Sequence, residues 1–211
     1  MNKNEKFVIT INRELGSGGR TVGRLLAQRL QVKYYDKALI EQLTKKFNLS
    51  VEEIERIKAQ KKTWWNEFNN YYKMLNSTVK PMEAETVISN NILFNTEKEI
   101  LTTLAEEESC VVAGRSGFLV FRNHPNHLNV FIEASTEHRI ERLMRKQNLQ
   151  REEAIDIINK VDKDRETFIK KYDHTSRYDT RNYHLIINMD ELSDEGAADV
   201  IMSYINAQNK Q

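Results

Sequence analysis

Hydrophobic positions along the chain switch between two periods, and the switches mark its elements. Phe7, Val8, Ile9, Thr10 and Ile11 form a β-branched run that reads as a buried strand. Val22, Leu25, Leu26 and Leu30 then recur at helical spacing, which predicts a helix starting close to Arg20. Residues 32–36 (VKYYD) read as a short second strand ending in an acid. From Lys37 to about Glu108 the pattern is helical, with one proline, Pro81, and no glycine. Within it, Ser50 to Glu53 has the form of a capping box. Trp64, Trp65, Phe68, Tyr71, Tyr72 and Leu75 make an aromatic stripe. Helix packing explains that stripe; a base-stacking surface, an acceptor pocket or a homodimer contact are the alternatives. Residues 82–105 read as one long amphipathic helix or two in succession.

Three β-rich runs follow, at 110–114, 128–133 and 183–188. Helical segments near 136–147 and 151–172 separate them, and another near 193–206 closes the chain. Strands alternating with helices predict an α/β fold, a parallel sheet of about five strands with helices on both faces. No internal repeat or low-complexity linker divides the 211 residues, a length that suits one domain.

Charge narrows the function classes. Charged residues make up 30% of the chain, yet the net charge is only +1, which argues against a nucleic-acid partner. No apolar run approaches the ~18 residues of a membrane span. The N-terminal MNKNEK leads directly into the first strand, leaving no room for a signal peptide. Cys110 is the one cysteine, so no disulfide forms within the chain. The expected location is a reducing cytoplasm.

The candidate chemistry lies between the first strand and the first helix. Gly16, Ser17, Gly18, Gly19, Arg20 and Thr21 join them. A glycine-rich turn running into a helix N-terminus directs backbone N–H groups and a partial positive charge at an anion. Set against the phosphate-loop pattern G-x-x-x-x-G-K-[ST], Glu14 replaces the first glycine and Arg20 the lysine. Thr21 keeps the position whose hydroxyl can ligate a phosphate-bound Mg²⁺. Arginine at position 20 still brings positive charge and can fork onto two phosphate oxygens. In parallel sheets ligands collect at the carboxyl ends of the strands. Those ends carry Asn12 and Arg13, Asp36, Gly114 and Arg115, Glu133 and Asn188. Arg13, Asp36 and Arg115 are therefore candidates to hold a substrate beside the loop.

Three stretches carry a resemblance: ITINRELGSGGRTVGRLLAQRL at the start, YYDKALI at 34–40, and VVAGRSGFLVFRNHPNHLNVFIEASTEHRIERLM at 111–144. The chain resembles the cytidylate-kinase-like branch of the P-loop nucleoside monophosphate kinases. DKDRE at 162–166 is similar to that family's charged lid. The resemblance implies a three-layer P-loop fold with a helical acceptor-side insert at about 45–107 and an arginine-bearing lid at about 146–182. It also implies ATP as donor, Mg²⁺ as cofactor, and a small phosphorylated acceptor. By position, residues 16–21 would hold the donor phosphates, Asp36 and Arg115 would face the acceptor, and Arg142 or Arg165 would close on the transferring group. Phosphoryl transfer needs positioning and positive charge more than covalent chemistry, which suits these residue types.

The chain departs from the family at Ser116, where an acid follows glycine–arginine, and at Arg20. These departures leave open a nucleotide-binding or regulatory protein with weak catalysis. Other readings also compete. Gly16, Gly18 and Asp36 fit part of a dinucleotide fingerprint. Asp36 can simply cap the helix after it. Arg115 can pair with Glu133. Arg139, Arg142 and Arg145 can form a solvated helix face, and Arg165 can make an exposed ion pair with Asp162. His124 and His127 read as loop residues, not metal ligands. Tyr172, Arg177, Tyr178 and Arg181 form a basic–aromatic segment that suits either a nucleotide or a surface loop.

Overall fold

The computed structural model describes residues 1–40, 91–114 and 116–208. The capping box at 50–53, the aromatic stripe and Arg115 lie outside them. Five strands, β1 (Val8–Arg13), β2 (Lys33–Asp36), β3 (Cys110–Ala113), β4 (His127–Glu133) and β5 (Leu185–Asn188), form one sheet in the order β2-β3-β1-β4-β5. Every pairing is parallel. The helices described are α1 (Gly19–Leu30), α2 (Asn91–Glu107), α3 (Gly117–Val120), α4 (Thr136–Gln147), α5 (Arg151–Asp173) and α6 (Asp194–Gln208).

Alternation along the strands divides the core into two layers. Phe7 just before the first strand, Ile9 and Ile11 within it and Val111 of the third face one side, packed with Val22 and Leu26 of α1 and Ile201 and Ile205 of α6. Val8, Cys110 and Val112 face the other side, against Ile100, Leu101 and Leu104 of α2. All six residues of β1 are buried, which makes it the central strand. Two positions on its second face are polar and satisfied within the sheet. Thr10 Oγ1 lies 2.7 Å from His127 Nε2 and donates to Asn129 Oδ1 at 2.7 Å, while Asn12 Nδ2 donates to the same oxygen at 3.2 Å.

A third cluster joins α4 to α5 through Ile140, Leu143, Ala154, Ile158 and Val161, and it includes Leu15 of the glycine loop. α4 is capped by Ser135, whose hydroxyl accepts the His138 N–H at 3.3 Å. α5 opens on a capping box in which Glu153 takes the Gln150 N–H at 2.9 Å. The fifth strand starts at Leu185, two residues later than its β-rich run. A 3₁₀ turn over Thr180–Asn182, capped by Asp179, occupies the chain just before it. The four-residue α3 leaves no signal in the sequence, since one turn is too short to show a period. Among the described residues, no helix is long and apolar enough to cross a membrane.

Candidate active site

The glycine loop sits at the carboxyl end of β1, where the chain reverses into α1. Gly16 (φ 84°) and Gly18 (φ 91°) both take left-handed conformations that only glycine adopts freely. Space is as restrictive as torsion. A Cβ on Gly16 would lie 2.6 Å from the Arg139 carbonyl oxygen, and one on Gly18 would lie 2.7 Å from Asp194 Oδ1. Gly19 lets the Arg13 side chain pass, since a Cβ there would come within 2.6 Å of Arg13 Cβ. Gly18 is the N-cap of α1 and makes no side-chain cap bond, and the first turn carries no acid. Among the described residues, nothing hydrogen-bonds to the N–H groups of Gly16, Gly18 or Gly19. The loop thus offers unpaired donors and the positive end of a helix dipole.

These residues open onto a cleft of about 290 Å³. Its walls include Arg13, Arg20, Thr21 and Arg24 on one side and Arg142 and Lys146 of α4 on the other. Arg142 Nη2 and Lys146 Nζ each stand 3.4 Å from Thr21 Oγ1, and Arg142 also pairs with Asp194 at 2.7 Å. Ser17 points away from this cleft. Its hydroxyl donates to the carbonyls of Glu14 and Ile132 at 3.0 Å each, pinning the loop to β4.

Asp36, 3% exposed, engages both oxygens. Oδ1 accepts the Leu39 N–H at 3.1 Å, capping the helical turn that begins at residue 37, and Oδ2 lies 3.2 Å from Arg24 Nη2 and 3.8 Å from Arg20 Nε. Capping and ion pairing thus coexist at one carboxylate. Arg13 is buried, with its guanidinium running close against Gly114. Arg165 does pair with Asp162 at 3.1 Å, but not on an exposed face, because the Asp162 side chain is only 10% exposed. Arg165 Nη1 also donates to the Arg13 carbonyl at 3.1 Å, and Arg165 does not line the cleft. Ser116 takes a left-handed conformation (φ 52°) at the start of α3.

The sequence did not point to a buried charge network behind the loop. Arg139, Arg165 and Arg177 converge on Asp162. Arg139 also reaches Glu14 at 3.3 Å. Burial raises the Glu14 carboxyl above its ordinary pKa, against the pull of Arg139. One signal was present. Arg139, Arg142 and Lys146 stand at i, i+3 and i+7, a single helical stripe, whereas Arg145 falls off it and is exposed.

The comparisons with known proteins fit this geometry. The model of the cytidylate kinase-like family matches residues 8–191. The chain belongs to the cytidylate kinase-like family. A cytidylate kinase of Sulfolobus acidocaldarius is 23% identical over 203 residues, covering 95% of each chain. An uncharacterized protein from Eubacterium ventriosum has a crystal structure similar to this one, with a TM-score of 0.69 at 21% identity over 95% of this chain and 98% of that one. Shikimate kinase from Acinetobacter baumannii, solved with shikimate, matches at 0.51 and 15% identity over 97% and 95%. These structural likenesses establish the P-loop α/β fold. Family and fold together place the chain among P-loop kinases, whose reaction is phosphoryl transfer.

Proposed function

We propose that this protein transfers the γ-phosphoryl group of ATP, with Mg²⁺, to a small phosphorylated acceptor, a nucleoside monophosphate in the first instance. The observation that carries the reading is the cleft at the glycine loop. It combines unpaired loop amides and a helix N-terminus with Arg20 and Arg24 in its wall and with Arg142 and Lys146 beside the hydroxyl of Thr21. Such a site suits a polyphosphate, and a desolvated, positive enclosure is what an in-line phosphoryl transfer requires.

In this reading residues 16–21 bind the donor phosphates, and Arg20 and Arg142 neutralise charge that builds on the transferring group. Arg165, the third candidate for that role, does not line the cleft and touches the loop only through the Arg13 carbonyl, so it acts here by holding the loop. Arg13, Asp36 and Arg115 serve the acceptor. Among the described residues, no cluster of three or more His, Cys, Asp or Glu side chains could hold a metal ion. Mg²⁺ arriving with ATP would take one oxygen from Thr21, a residue that lines the cleft. When bound, the ion would neutralise phosphate charge. Arg142 and Lys146 would meet the phosphates beside it.

A second reading, nucleotide binding without efficient transfer, rests on Arg20 and Ser116. ADP release from ATP–Mg²⁺ with a panel of nucleoside monophosphates and non-nucleotide phosphorylated acceptors separates the two. Release with at least one acceptor supports the kinase; ATP binding with no productive acceptor supports the second reading.

A further inference from the structure

We infer that Asp162 and Arg139 are positioning residues that set the phosphate loop in its binding conformation, replacing what the missing first glycine would supply. The inference rests on the proposed function and deepens it. Both groups that Leu15 offers the backbone are held from outside the loop. Its N–H donates to Asp162 Oδ1 at 3.1 Å, and its carbonyl accepts from Arg139 Nε at 2.8 Å. The Leu15 carbonyl and the Gly16 N–H belong to one planar, trans peptide unit, so they point in opposite directions. By fixing the carbonyl, Arg139 therefore fixes the Gly16 N–H pointing away from itself, and Gly16 lines the cleft. A loop carbonyl turned toward a phosphate would repel it, and the clamp prevents that rotation.

Asp162 anchors the arrangement. Its Oδ2 binds Arg139 Nη2, and its Oδ1 serves Leu15, Arg165 and Arg177. Asp162 and Arg139 are both buried, so each needs its ion pairs for charge neutralisation, Asp162 with three arginines and Arg139 with Asp162 and Glu14. Arg165 and Arg177 also donate to the carbonyl of Arg13, the residue just before Glu14. Glu14 itself is tied down on the far side, where its Oε2 accepts the Ala134 N–H at 3.3 Å and its Oε1 meets Arg139 Nη1 at 3.3 Å. Residues 13–15 are thus held by side chains of α4, α5 and the segment after α5. A glycine at position 14 would leave two of those contacts unmade.

The test uses the full chain with Asp162→Asn, which keeps the shape and removes the charge, and Arg139→Lys, which keeps the charge and removes the Nε donor. ATP–Mg²⁺ affinity is measured by calorimetry, and hydrogen exchange at the Leu15 amide is followed without nucleotide. Both variants should weaken ATP–Mg²⁺ binding about tenfold or more and speed Leu15 exchange. A purely structural role would lower the melting temperature while leaving the affinity of folded molecules unchanged. Affinity within about twofold of the parent in a folded variant, or unchanged Leu15 exchange, overturns the clamp. If Asp162→Asn does not fold, Arg139→Lys decides both arms. A parent chain that binds no nucleotide would instead sink the proposed function, and Leu15 exchange alone then decides the clamp.

Discussion

Gly16 and Gly18 shape the site through the backbone they allow. Each combines a positive φ with a neighbour that leaves no room for a Cβ. Gly18→Ala should cost about 1–2 kcal/mol from its backbone conformation alone, with further loss from the clash with Asp194, and denaturant melts would record it. Arg20→Ala should abolish the stabilisation that ATP–Mg²⁺ gives; unchanged stabilisation would remove this side chain from the binding site. A third residue, His127, contributes to the acid dependence of stability. Burial first, then His184 and His124, lower the pKa of His127 from 6.5 to about 4. A histidine with a depressed folded pKa contributes stability that is complete above pH 6.5 and is lost as pH falls toward 4. His127→Gln, which retains a partner for Thr10, should flatten that acid slope in pH-dependent melts; an unchanged slope would assign the loss to other groups. At this scale the loop residues were legible because spacing alone carries them. Arg139 and Asp162 were not, because a charged residue on a helix reads as solvated until the partner that buries it is known.

Elements were legible wherever one hydrophobic period ran long enough. The first strand, α4 and α5 lie within a residue or two of their sequence patterns, since both faces of the strand and one face of each helix are buried. The short α3 and the start of β5 were not, being set by contacts distant in sequence. α4 and α5 deserve a separate stability test. They share the small apolar cluster that includes Leu15, apart from the two sheet layers. Ile158→Ala, at a position 3% exposed, should cost about 2–5 kcal/mol. Because the same helices carry Arg139 and Asp162, ATP affinity should fall along with stability. A destabilised variant with full affinity would show that the helix pair and the loop act independently.

For the whole molecule, the sheet order and all-parallel pairing gather the loop, Arg13 and Asp36 at one edge, as the strand ends in the sequence suggested. The rival dinucleotide reading fares worse. Both oxygens of Asp36 are taken up by the Leu39 N–H and by Arg24 and Arg20, leaving the carboxylate poorly placed for a ribose. ATP–Mg²⁺ should accordingly raise the melting temperature and NAD(H) should not; the reverse result would favour the rival. The most direct test of the central claim is ADP release from ATP–Mg²⁺ across a panel of nucleoside monophosphates and other small phosphorylated acceptors. The account predicts acceptor-dependent ADP release with at least one of them, while bound ATP with no acceptor phosphorylated would contradict it.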